Sequence, residues 1–104
     1  MICGVFVQRI DWNNITVEVS YEPHWLGVSD GRGGPLAHLE LRSLDPEDAA
    51  LPVTETGYRS HFLPASEVVE QGGPIGYARV WLDEAALSVS WKAKQAAARR
   101  LSLF

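Results

Sequence analysis

From Ile15 to Glu22 apolar and polar side chains alternate without a break. Ile15, Val17, Val19 and Tyr21 fall on one side, and Thr16, Glu18, Ser20 and Glu22 on the other. A period of two is that of a β-strand with one buried face. The preceding run, Ile2 to Ile10, carries the β-formers Val5, Phe6 and Val7 and stops at Asp11-Trp12-Asn13-Asn14. Asn and Asp tolerate left-handed backbone and bond their own main chain, so this is a turn, and the two runs form a hairpin. A third alternation covers Pro35 to Leu44, with Ala37, Leu39 and Leu41 opposed to His38, Glu40 and Arg42. A fourth strand is expected at Tyr58 to Leu63, with Tyr58 and Phe62 on one face and Arg59 and His61 on the other.

The period then lengthens. Residues 64–73 read as a short helix stopped by Gly72, and Pro74 is placed to open a longer one at its first position. Ile75, Ala78, Leu82, Ala85 and Val89 recur at helical spacing with Trp81 beside them. Asp83, Ser88 and Ser90 are each able to cap a break, so one bent helix and two helices both satisfy the pattern. Strands first and helices after predict an α+β domain. Its antiparallel sheet of about four strands is covered on one face by the C-terminal helices, and its other face is polar.

Composition narrows this picture. The 104 residues make one domain, 1–104, and the 46% hydrophobic and 21% charged content is that of a globular chain. Trp12, Trp25, Trp81 and Trp91 are expected to anchor the core. The lone Cys3 excludes an internal disulfide and fits a reducing, cytoplasmic setting. The start MICGVFVQR reads as neither a signal peptide nor a membrane span.

Charge is divided along the chain. Residues 1–90 set five arginines against all thirteen acids, whereas 91–104 carry Lys92, Lys94, Arg99 and Arg100 with no acid. An acidic body argues against broad nucleic-acid binding, which rests on neutralising phosphates. The basic end reads first as cations complementing a helix dipole.

Candidate chemistry gathers on the polar face. Glu18, Glu22, His38, Glu40, Arg42, Arg59 and His61 are expected there together. Cross-strand charge pairing accounts for much of such a set. The functional reading is a binding face for another protein, through Arg59, His61, His38, Glu40 and Arg42, with Tyr58 or Trp25 as an aromatic anchor at its rim. The competing reading is a small metal-dependent enzyme using His38, Glu40 and His61, with His24, from a separate segment, able to complete the set. No HExxH or cysteine-rich spacing supports it, and no cofactor is implied. Ser60 and His61 are neighbours, so on a strand they face opposite ways and do not make a nucleophile–base pair. The glycine-rich loop 27–35 lacks the spacing of a phosphate cradle and reads as a connector. Thr54 to Gly57 reads as a lead-in turn, where Gly57 frees the backbone and Glu55 is placed to cap or pair.

The strings HLELRS (38–43), LPVTETGYRSHF (51–62) and GGPIGYARVWLDEAA (72–86) resemble those of short, uncharacterised bacterial proteins, often encoded among plasmid or other mobile-element genes. The resemblance covers about two thirds of the chain and carries over no catalytic residue. It implies a small acidic accessory protein, regulatory or anti-defence in kind, acting on host machinery.

Overall fold

The computed structural model describes residues 5–101, with side chains described through residue 97. The readings made of Cys3 and of the side chains of Arg99 and Arg100 lie outside what is described.

Four strands, β1 (Phe6–Trp12), β2 (Ile15–Glu22), β3 (Leu36–Asp45) and β4 (Tyr58–Pro64), form one antiparallel sheet in chain order. Among the described residues three α-helices follow: α1 (Ala65–Glu70), α2 (Pro74–Ala85) and α3 (Val89–Leu101). The sheet is antiparallel with helices after it, as expected, and its strand order makes it a meander. The first hairpin closes on two residues, Asn13 and Asn14, at φ 50° and 65°. Positive φ at both central positions is the turn that matches strand twist, and it draws Asp11 and Trp12 into β1 rather than into the loop.

Burial selects one face of the sheet. Val17, Val19, Tyr21, Ala37, Leu39, Leu41 and Leu63 lie inward against Val68 of α1, Ala78 and Leu82 of α2 and Trp91 of α3. Leu51, in the connection between β3 and β4, is also fully buried. The Ser43 hydroxyl holds that connection in place, donating to the Ala49 carbonyl at 2.6 Å from a buried position. Trp12 and Trp91 are core residues and Trp81 packs at the margin, as expected of anchors. Trp25, in a single 3₁₀ turn at Trp25–Gly27, lies instead against the other face of the sheet.

The helical end is divided. Pro74 occupies the first turn of α2, and the break falls after Ala85, where Ser88 caps α3 by accepting from the Trp91 amide at 3.2 Å. Asp83 has a different part. It accepts from the Trp12 indole nitrogen at 2.8 Å, tying α2 to β1 across the core margin. The break also corrects the apolar stripe. Val89 begins a new helix out of phase with α2 and is 84% exposed, while Trp91 takes the inward position. Among the described residues, no helix is long and apolar enough to cross a membrane.

Candidate interaction face

Register fixes which side chains share the open face. β2 pairs with β3 as Glu22↔His38, Ser20↔Glu40 and Glu18↔Arg42, and β3 pairs with β4 as His38↔Phe62, Glu40↔Ser60 and Arg42↔Tyr58. Opposed residues in an antiparallel ladder project from the same side. Three rows therefore cross the face: Glu22–His38–Phe62, Val7–Ser20–Glu40–Ser60, and Arg9–Glu18–Arg42–Tyr58.

This register corrects the expected parity of β4. Arg59 lies opposite Leu41, His61 opposite Leu39 and Leu63 opposite Ala37, all on the helix-covered side. Tyr58 and Phe62, expected in the core, are 37% and 45% exposed on the open side. Of the predicted site residues, His38, Glu40, Arg42 and Tyr58 are brought together, and Arg59 and His61 are separated from them by the thickness of the sheet. The metal set His38, Glu40 and His61 is split in the same way. Among the described residues, no group of three His, Cys, Asp or Glu side chains is placed to hold a metal ion.

The rows are linked by specific contacts. The Tyr58 hydroxyl donates to Glu40 Oε2, and the Arg42 guanidinium lies over the Tyr58 ring at 4.7 Å from its centre. Donation to Glu40 is the chief reason the Tyr58 phenol is raised above its ordinary 10.0, with burial and the Glu40 charge adding. His38 Nε2 and Ser60 Oγ share a hydrogen bond of 2.6 Å. The His38 ring stacks on Phe62 at 4.5 Å with planes 17° apart, and Trp25 meets Phe62 edge-on at 4.7 Å. Both distances are those of favourable aromatic pairs. The result is an aromatic trio beside a polar hollow of about 150 Å³, lined by Glu18, Ser20, Glu40, Arg42 and Tyr58.

Trp25 and Phe62 thus belong to this face, although the sequence reading assigned Phe62 to the core. One signal for Phe62 was present in the chain. Leu63 is the aliphatic residue of β4, and counting back from it by two places Arg59 and His61 inward.

On the helix side, His61 packs against Trp81 at 4.8 Å and near Tyr77, and Arg59 lies 5.8 Å from the Trp81 ring. Burial, then the Arg59 charge, holds the His61 imidazole below its ordinary 6.5, with Glu67 opposing. Arg59 also reaches a larger cavity, about 450 Å³, between residues 51–56 and α3. There Lys94 donates to Glu55, so Glu55 pairs rather than caps, and its carboxyl is held below the ordinary range. Leu51, Pro52, Val53 and Trp91 form its apolar wall, and the Lys94–Glu55 pair lies among its polar ones.

A family model described as the KlcB third domain matches residues 6–91, which spans all four strands, α1, α2 and the start of α3. No curated protein and no solved structure matches the chain.

Proposed function

The chain belongs to the KlcB third-domain family, and for it we propose a non-catalytic accessory role in which the open sheet face docks another protein. One observation carries this reading: the helices cover one side of the sheet and leave the other side bearing a half-buried Trp25 and an exposed Phe62, Tyr58 and Arg42. Aromatic and arginine side chains are the residue types that dominate binding energy when desolvated by a partner. The same face carries hydrogen-bonded polar groups that preset its shape, namely Tyr58 on Glu40 and His38 on Ser60. A preset surface loses less conformational freedom on docking.

A cytoplasmic setting and a regulatory or anti-defence duty within a mobile element are part of the same proposal. They are supported by the resemblance carried by residues 38–43, 51–62 and 72–86 and by the single cysteine. The acidic balance of residues 1–90 supports a protein partner over a nucleic acid.

The test is affinity capture from the bacterium that carries the gene, using wild type, Phe62→Ser, Trp25→Ala and Arg59→Ala. The expected result is loss of a specific partner with the first two and retention with Arg59→Ala, at unchanged circular dichroism. Capture that survives Phe62→Ser and Trp25→Ala but not Arg59→Ala moves the site to the helix side and overturns the assignment.

A further inference from the structure

The open face is chemically lopsided in a way that selects its occupant. Five carboxylates, Asp11, Glu18, Glu22, Glu40 and, past the irregularity in β3, Asp45 opposite Thr16, share it with two guanidiniums, Arg9 and Arg42. Arg42 is engaged over the Tyr58 ring, and no ion pair joins Glu18, Glu22 or Glu40 to a base among the described residues. A cationic occupant is attracted to this face, and an anionic one is repelled. The hollow beside Glu18 and Glu40 holds about 150 Å³. With about 30 Å³ for each water of liquid volume, that is room for the end of one side chain rather than for a nucleotide or a folded surface.

The apolar contact lies one step away along the same strand. His38, which stacks on Phe62, precedes Glu40 by two residues, and Arg42 follows by two more. Successive same-face positions on a strand are separated by about 6.6 Å. An extended partner segment has the same repeat, so its alternate side chains match the rows of this face.

Resting on the proposed use of the open face, we infer that the docked partner is an extended, basic protein segment. It sets an apolar side chain on Trp25 and Phe62 and, two or four residues further on, a lysine or arginine against Glu40 and Glu18. The aromatic trio supplies the desolvated anchor, and the carboxylates supply the preference for positive charge. Because Glu18 and Glu40 are only half-buried, the attraction is sensitive to salt.

Fluorescence anisotropy with labelled synthetic peptides tests this on the full chain. The probes are a Gly/Ser-flanked Trp-x-Arg-x-Arg peptide, its Trp-x-Glu-x-Glu counterpart and an Ala-x-Arg-x-Arg control. The expected result is at least about tenfold tighter binding of the first than of either other. Added sodium chloride weakens it, and the Glu18→Gln/Glu40→Gln double variant loses the discrimination between Arg and Glu peptides. Equal or tighter binding of the Glu peptide, or discrimination that persists in the double variant, overturns the inference. Absence of binding by every peptide, while cellular capture still depends on Phe62, overturns the basic segment but keeps the face. Capture that ignores Phe62 overturns the face itself, and with it the inference.

Discussion

Tyr58 and Glu40, from adjacent strands and diagonal to each other on the open face, are joined by a hydrogen bond in which the phenol donates to the carboxylate. Each thereby fixes the other. The ring of Tyr58 is held where Arg42 lies over it, and Glu40 is held at the edge of the hollow it shares with Glu18. The bond favours the neutral phenol beside an ionised carboxylate, so Tyr58 titrates above 10.0 in the folded chain. Its contribution to stability is present below that ordinary value and is lost as pH rises through the raised one. The tyrosinate absorbance change removed by Tyr58→Phe is expected to have a midpoint above 10.0, moving downward in Glu40→Gln. A midpoint unmoved by Glu40→Gln contradicts the pairing.

His61 makes the opposite kind of pH dependence. Burial against Trp81 and the nearby Arg59 favour its neutral form, so the folded chain binds a proton less readily than the unfolded one. Stability is therefore full above the ordinary histidine value of 6.5 and falls as pH drops through the window between that value and the lower folded one. Urea midpoints measured between neutral and mildly acidic pH are expected to decline in wild type. His61→Phe flattens that decline, while a decline of equal slope in the variant removes the assignment.

The parity of β4 is also where the sequence was hardest to read. β2 and β3 oppose aliphatic residues to charged ones, so their buried faces are plain. β4 opposes two aromatics to an arginine and a histidine, and three of these side chains, Tyr58, Arg59 and His61, are amphipathic enough to serve on either side. Two elements distant in sequence decide the matter. Trp81 and Tyr77 of α2 offer flat surfaces to His61 and Arg59, and Trp25 caps Phe62 from the opposite side. Neither contact has a local signal. By contrast the hairpin and the Pro74 helix start rest on local backbone chemistry and are visible in the residue types there, and Ser88 is one of three residues, with Asp83 and Ser90, that the sequence offers as a cap for the break. That His38, Glu40 and Arg42 share one face was legible because they sit on β3, whose alternation is strict.

Two glycines with the same sign of φ separate backbone strain from steric exclusion. Gly57 lies at φ +81°, and a Cβ there meets Asp48 main-chain atoms at 2.7 and 2.8 Å. Gly72 lies at φ +87° with nothing within 4 Å. Gly72→Ala is expected to cost about 1 kcal/mol, the left-handed penalty alone. Gly57→Ala adds displacement of the loop that carries Leu51 into the core, for a total of about 2–4 kcal/mol. Chemical denaturation of the two variants checks the order, and equal losses contradict the close approach at Asp48.

Trp12 and Asp83 are 71 residues apart and share a hydrogen bond of 2.8 Å at the margin of the core. The indole nitrogen is a donor only, and the Trp12 residue is 9% exposed. Removing its acceptor leaves a largely desolvated N–H without a partner, at a cost of about 1–3 kcal/mol. Asp83→Ala is expected to lose that amount, although alanine is the better helix former at an α2 position. Asp83→Asn keeps an oxygen able to accept and is expected to lose less than half as much. The double variant Trp12→Phe/Asp83→Ala has no donor to strand, so Asp83→Ala in the Trp12→Phe background is expected to be nearly neutral. Thermal unfolding of the four chains gives the coupling directly. Additive losses mean that Asp83 acts on α2 by itself rather than through Trp12.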